Sequence, residues 1–532
     1  MEHGSHFLRV GKATDLTGRD FKIYRILEIL PGALSIGTLV ILLLLSYLQP
    51  VFVAYFIIAF SVYWLLLVIY MAIFLIASYR HLKKGLKTDW RARCENLAAG
   101  NYDAEGASVA CLARQGWSWQ DVWHLIVLPT YNENVEIIRA SLEAIVQDGF
   151  PTDRLIVALA IEERAGPLGH EKAAIVQKEF GDKFGRFMIV FHPDGIEGEL
   201  KGKGANQGWC VKEVKRDLID KEGFDYNKIL ISVFDIDTIV RSGYFFALTH
   251  KFLTVDEPYR ASYQPIPVYH NNIWRAPFFS RVAASSNTFW QMIMQVRQES
   301  LVTYSSHSMT FKALADIGFW SPKSVSEDSR IFWHCLLHYN GDYRVEPISF
   351  DVSMDVTCDT SVPRTALSLY KQQRRWAWGA ENIPYLLFNT IKMWRRPGFK
   401  KGVVAGHISI QLYGFHAWAT NALIIAVLGW MPMVLGGDRF NATVLSGNLP
   451  TVTQNLMSFA MVGLILSAIV SALLLPKRPK EHTVWKNILI TLEWFLVPVV
   501  IIFFGAIPCL DAQIRLMRGK YMGFWVTPKM RA

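Results

Sequence analysis

Charge is scarce in this sequence. Only 19% of its 532 residues are Asp, Glu, Lys or Arg, against 52% hydrophobic. So long a chain is not one simple domain. Nor is it a bare membrane bundle, because residues 85–400 hold no apolar run of membrane length. The expectation is a water-soluble domain set between membrane segments. Cysteine is sparse too: Cys94, Cys111, Cys210, Cys335, Cys358 and Cys509 are scattered, and no two are spaced as CxxC. That excludes the usual structural zinc spacing, argues against a disulfide framework, and fits a reducing cytoplasm. The GxxxxGK[ST] spacing of a P-loop is missing. There is no internal repeat and no low-complexity stretch. Acidic residues are outnumbered, 45 against 55 Lys plus Arg, for a net charge of +10. The surplus clusters beside apolar runs instead of interleaving with aromatics. It reads as membrane orientation, not as a nucleic-acid surface.

What is present sorts by position. Residues 1–31 are polar and basic, with Arg9, Lys12, Arg19, Lys22 and Arg25. Segments 32–48 and 51–78 are uncharged and long enough to span as helices. Their link, Gln49-Pro50, is neutral, while 80–87 is basic. Positive flanks stay inside, so these helices form a hairpin with both ends cytoplasmic. No cleavable leader is expected, since no small-residue cleavage site follows the first apolar run. Three more apolar regions follow, at 406–435, 452–475 and 488–507. The link 436–450 reads as outside, and Lys477-Arg478-Pro479-Lys480 as inside. Three crossings would leave outside a tail carrying Arg515, Arg518, Lys520, Lys529 and Arg531. A cytoplasmic tail is expected instead. Either the last region is re-entrant, broken at Pro498 or Pro508, or 406–435 crosses twice, or the charge rule fails here. Residues 383–394 lead into the basic collar of Lys392, Arg395, Arg396, Lys400 and Lys401. They read equally as a membrane-surface helix or a core helix. Asn441-Ala-Thr443 matches a glycosylation acceptor, a triplet common by chance. The division is 1–84 (N-terminal segment and hairpin), 85–400 (soluble domain), 401–510 (membrane helices) and 511–532 (basic tail).

Within 85–400, short apolar strands alternate with amphipathic stretches, the βαβ pattern. Predicted strands are 123–128, 155–161, 187–191 and 229–234, with a helix over 135–147. The last strand runs straight into Asp235-Ile-Asp237. In open α/β sheets, ligands sit beyond the carboxyl ends of the strands. Strand alternation would put both carboxylates on one side, with Ile236 opposite. Carboxylates so close call for a cation, and a hard divalent ion shared with a phosphate is the natural one. A solvated turn is the plain alternative. Other stretches carry the same double reading. After the first strand comes Pro129-Thr-Tyr-Asn-Glu133, where Tyr131 can pack on a base and Thr130 bond to it, or where Asn132 caps a helix. Glu162-Glu163 closes the second strand. Lys201-Gly-Lys203-Gly-Ala-Asn206 offers glycines for close approach to a diphosphate and lysines for its charge. Ser326-Glu327-Asp328 opens a helix, with Ser326 also a plausible cap. Gln372-Gln-Arg-Arg375-Trp376, if helical, sets Gln372, Arg375 and Trp376 on one face.

In this order, the motifs between about residues 120 and 380 resemble those of membrane-embedded family 2 glycosyltransferases. The resemblance is to the processive polysaccharide synthase kind, which includes cellulose, hyaluronan, chitin and mannan synthases. The resemblance implies an α/β GT-A (Rossmann-like) cytoplasmic domain inserted between transmembrane helices of the plasma membrane. It implies inverting transfer of a sugar from a UDP- or GDP-hexose to a growing glycan, with export through the bilayer and Mg²⁺ or Mn²⁺ as cofactor. By the same resemblance, Asp235 and Asp237 are the metal and diphosphate site. Thr130, Tyr131, Glu133, Glu162, Lys201, Lys203 and Asn206 line the donor, together with Asp235. The family usually has Asp where this chain has Glu162-Glu163, which leaves open the glutamate used. Asp328 would be the general base beside Glu327, with Ser326 replacing the family's Thr. Gln372, Arg375 and Trp376 would shape the acceptor end, Arg375 meeting diphosphate charge and Trp376 stacking on a sugar. His307 sits where the acceptor-side loop runs, though a satisfied core histidine is the plainer reading. Residues 357–369 are expected as a mobile loop over the nucleotide. One alternative is a single transfer to a lipid such as polyprenyl phosphate, where Gln-x-x-Arg-Trp also occurs. A transporter or scaffold with a degenerate sugar site is the remote third reading.

Overall fold

The computed structural model describes residues 5–477, 479–480 and 483–528, and in it the βαβ pattern builds part of an eight-stranded sheet. β1 (Trp123–Thr130), β2 (Leu155–Glu162), β3 (Arg186–His192) and β4 (Ile229–Val233) are parallel, in the order β3-β2-β1-β4. β5 (Ile239–Val240), β6 (Ala261–Val268), β7 (Ser308–Thr310) and β8 (Arg344–Ser353) extend it as β4-β7-β6-β8-β5, with β7 and β5 antiparallel to their neighbours. Period-two alternation splits β1 between two cores. Leu125 and Val127 join one with Phe279 and Met292; Ile126 and Leu128 join the other with Ile137, Leu142 and Phe245. Each such side chain is worth roughly 1.5–3 kcal/mol when fully buried. Chain order reverses at β1 and β4, which opens a crevice at their carboxyl ends. This is the α/β sheet between apolar helices that the sequence led us to expect.

Among the described residues, four helices are long and apolar enough to cross a bilayer: Gly18–Leu48, Pro50–Lys87, Val444–Leu474 and Ile488–Met517. Lys401–Ala426 with Leu428–Leu435 forms a fifth, bent by 44°. Leu42, Val53 and Ile57 of the first hairpin pack against Leu428, Phe440 and Leu449, so the third and fourth apolar regions meet at the hairpin's far end. The last helix passes the test of length and composition, but its contacts keep it beside the sheet domain. Trp494 stacks on Phe289 and Phe504 on Phe279, each at 5.2 Å, and Asp511 pairs with Arg374 at 2.7 Å. Beginning, middle and end thus touch the sheet domain, while Gln513 also donates to the Phe415 carbonyl of Lys401–Ala426 at 3.0 Å. The helix is interrupted at Glu493–Leu496 and Ile502–Ala506, and no hairpin forms at Pro498 or Pro508. The tail therefore lies on the domain's side. Arg478, Lys529 and Arg531 fall outside the described residues.

One expectation is corrected, and one reading left open is decided. Residues 357–369 are no loop throughout, because helix Val362–Ala377 starts inside them. Ser361 accepts the Arg364 N–H, and Pro363 suits a first turn with its fixed φ. Residues 383–394 form a core helix for most of their length. Asn382–Met393 buries Ile383, Tyr385, Leu386 and Phe388, leaving Ile391 and Trp394 exposed.

Candidate active site

Gly202 has φ +150°, a conformation that side chains rarely adopt, and helix Lys203–Val214 starts immediately after it. That turn swings Lys203 inward. Its ammonium lies 2.7 Å from Asp235 Oδ1 and 3.0 and 2.9 Å from the two Asp328 oxygens. Three segments distant in sequence thus share one cation. Burial alone would favour neutral lysine, but the charges of Asp235, Asp328 and Glu327 outweigh it and hold the pKa above its ordinary range. Glu327 goes the other way. Burial, then the Asp328 charge, raises its carboxyl above the ordinary range. His307 is buried, with Nδ1 2.8 Å from the Tyr304 carbonyl and 3.9 Å from Asp328. Burial lowers its pKa. It is a core histidine that also borders Asp328.

The alternation expected for Asp235 and Asp237 does not occur. β4 stops at Val233, and the chain turns at once, with the Thr238 N–H donating to the Asp235 carbonyl at 2.8 Å. Asp235 faces Lys203 and accepts from Ser305 Oγ at 2.9 Å. Asp237 is buried and accepts the Asp355 N–H at 2.9 Å. Among the described residues, no three His, Cys, Asp or Glu side chains are grouped to hold a metal ion. Two carboxylates still fit Mg²⁺ or Mn²⁺, since such ions take one or two carboxylates and fill their shell with phosphate and water. The position of Lys203 shows that positive charge is favoured there.

On the donor side, Glu133 organises the turn after β1, accepting from Thr130 Oγ1 at 2.9 Å and the Tyr131 N–H at 2.8 Å. The residue before the following helix, Val135–Val146, is Asn134, not Asn132. Arg164 lies over the Tyr131 ring, 4.0 Å from its centroid, and pairs with Glu162. Glu163 turns away to His170 at 3.1 Å, so Glu162 is the glutamate on the Tyr131 side. Two members of the Lys201–Asn206 motif depart from expectation. Lys201 pairs with Asp194 at 2.6 Å and is largely exposed, on the outer side of Gly202. Asn206 is buried, and its amide donates to the Ala160 carbonyl at 2.8 Å and the Thr130 carbonyl at 3.4 Å, tying β1 to β2.

On the other side, Gln372 accepts from Thr357 Oγ1 at 2.6 Å, and Trp376 is half-buried 6.5 Å from Tyr269. The Arg375 guanidinium lies 4.7 Å from the Phe524 ring centre. Phe524, missed in the sequence, belongs to the tail. A Cβ at Gly202 would sit 2.5 Å from its ring. The tail is tied down by Tyr521, whose hydroxyl donates to Glu28 at 2.9 Å, and by Arg25, which donates to the Leu516 carbonyl at 2.9 Å. The sequence signal was an aromatic pair, Phe524-Trp525, among basic residues read only as orientation charges. Arg164 gave no signal beyond its place after Glu163.

None of the curated proteins compared with the chain matches it. Among solved structures it is similar to a mannosyltransferase from Pyrobaculum calidifontis in complex with GDP-Man and Mn²⁺, at 13% identity, 78% coverage of this chain, 98% of that one, and a TM-score of 0.42. It is also similar to S. aureus TarS 1–349 in complex with UDP-GlcNAc, at 11% identity, 66% and 91% coverage, and a TM-score of 0.34. The family described as Glycosyl transferase family group 2 matches residues 230–506, from β4 into the last apolar helix and just over half of the chain. The chain belongs to glycosyl transferase family group 2.

Proposed function

We propose that this protein is an inverting, divalent-metal-dependent hexosyltransferase at the cytoplasmic face of the plasma membrane. It extends a glycan from a UDP- or GDP-sugar and passes the product through its own spans. The observation that carries this reading is the Lys203 bridge, which holds Asp235 and Asp328 within reach of one cation. In this mechanism Asp328 takes the proton of the acceptor hydroxyl as that oxygen bonds to the anomeric carbon. The bond to the diphosphate breaks on the opposite face, and its electron pair leaves with the nucleoside diphosphate. Lys203 and Arg375 meet the charge that develops there. Asp235 and Asp237 would hold Mg²⁺ or Mn²⁺, which when bound neutralises diphosphate charge. Tyr131, Glu162 and Arg164 seat the base, and Trp376 the acceptor sugar.

The test is a donor screen on purified protein in nanodiscs. UDP- and GDP-sugars are supplied with Mg²⁺ or Mn²⁺, diphosphate release is followed, and the product is sized. A ladder of long products is expected. One added sugar on a lipid would replace the synthase reading with single transfer to a polyprenyl phosphate or glycolipid. No release from any donor, with donor binding intact, would refute both.

A further inference from the structure

One buried carboxylate joins the two halves of the site. Glu381 lies just past Trp376, in the turn Trp378–Glu381 that links helices Val362–Ala377 and Asn382–Met393. It is 7% exposed. Its Oε1 accepts from Ser324 Oγ at 2.7 Å, Ser326 Oγ at 2.6 Å and the Ser326 N–H at 3.1 Å. Its Oε2 accepts from Trp378 Nε1 at 2.8 Å. Ser326 precedes helix Glu327–His338, yet its side chain does not cap that helix. The hydroxyl is committed to Glu381 instead. Asn382 reinforces the joint, donating to Ser326 Oγ at 3.2 Å and Ser329 Oγ at 3.0 Å.

We infer that Glu381 is a positioning residue for Asp328. It fixes the first turn of Glu327–His338 against the helix that carries Gln372, Arg375 and Trp376. The inference rests on the reading of Asp328 as the base. The physical case is one of donor and acceptor count. An ionised carboxylate only accepts, and its two oxygens take all four donors at once. An amide of the same shape would turn N–H groups toward some of them. A buried donor stripped of its acceptor is costly enough to move the backbone that carries it. That backbone is the Ser326 peptide, two residues before Asp328. A hydroxyl at 326 is therefore needed for this joint, which Ser and Thr both supply. The donor contacts of Lys203 and Asp235 come from other segments, so donor affinity should be spared.

The experiment compares the full-length protein with Glu381→Gln, Ser326→Ala and the pair. Displacing a catalytic group by an ångström costs on the order of 10²-fold in rate. So kcat should fall about 10²-fold in Glu381→Gln, while KM for the donor shifts less than about threefold. The pair should lose little more than Glu381→Gln alone, because both changes cut one joint. Unchanged kcat with a lowered unfolding temperature would reduce Glu381 to a stability role, and additive losses would deny the joint. Hydrogen exchange without substrate gives an independent reading. Amides 326–330 should exchange faster in Glu381→Gln, with 203–214 unchanged. Unaltered exchange at 326–330 overturns the inference whether or not any sugar is transferred. Faster exchange in a protein that turns over no donor would instead retain the joint and refute the proposed reaction.

Discussion

Replacing Lys203 by Met keeps most of its length and removes its charge. The side chain is 10% exposed, and those of Asp235 and Asp328 are 25% and 22% exposed. Removing one partner of a buried ion pair costs roughly 3–5 kcal/mol, because the other charge is left without compensation. Both carboxylates keep some contact with water, which screens them, so the lower end applies, about 3 kcal/mol. Each kcal/mol shifts the midpoint of a large domain by roughly 2–4 °C, so the Lys203→Met midpoint should fall by roughly 6–12 °C. The assay is thermal unfolding in one detergent at one scan rate, since irreversible unfolding makes the midpoint depend on rate. Removing a stranded carboxylate should relieve the damage. Lys203→Met/Asp235→Asn should be more stable than Lys203→Met by at least about 1 kcal/mol, a coupling typical of groups in contact. An unmoved midpoint in Lys203→Met, or simple additivity in the double variant, would refute the bridge as a buried charge pair.

Asp328→Asn should lower kcat by about 10³-fold, the scale of general-base catalysis, while donor binding by calorimetry persists. Near-full turnover would remove Asp328 from the role of base. Arg281→Leu would leave Glu493 unpaired in a site where the two side chains are only 7% and 15% exposed, at a cost of about 3 kcal/mol. A wild-type unfolding midpoint would show that this pair does not anchor the last helix. Phe524→Ala removes the ring packed on Gly202 and Arg375, worth about 1–2 kcal/mol, so trypsin should cut at Lys520 roughly 5- to 30-fold faster. Equal cutting rates would mean that the tail is not held by that ring. Asp148 is buried and accepts the Tyr244 N–H at 2.8 Å; burial raises its carboxyl from the ordinary 3.8 to about 7. A carboxyl raised above its unfolded value contributes stability at low pH that is lost as pH climbs through that window. Between pH 4 and 7 the protein should therefore lose stability through this group, and Asp148→Asn should flatten the slope in denaturant titrations. Parallel slopes would contradict this.

β1 to β4 were legible because each is a short, mostly apolar run, and parallel neighbours extend the first three to Thr130, Glu162 and His192. β5 to β8 were not. β5 has two residues, and β6 contains Pro265 and Pro267, so only pairing with β7 and β8 makes them strands. The site shows the same division. Asp235, Lys203 and Asp328 stood out as motif residues, but nothing local announced that one ammonium would bridge the two carboxylates. Lys201 and Lys203 look equivalent in sequence, yet the backbone at Gly202 sends one outward to Asp194 and the other inward. Strand alternation failed at Asp237 because the chain had already turned. Phe524 and Glu381 matter through partners far away in sequence, Arg375 and Ser326, and a single sequence carries no signal for such pairs. The charge conflict in the tail could not be resolved from sequence because the last apolar helix meets the sheet domain through partners far away in the chain, Arg281, Phe279 and Arg374.

The docked tail also sets a timetable. Arg375 and Phe524 meet in space but are 149 residues apart in the chain. At 5–20 residues per second, a ribosome needs roughly 7–30 s to pass from one to the other. During that interval the sheet is already synthesised, and the apolar helices from Lys401 to Met517 have yet to be made. The rim at Gly202 stays open until Phe524 arrives. Pocket completion thus waits for the apolar helices that follow the sheet, and a half-made chain carries its sheet and its charged residues without the wall that closes them.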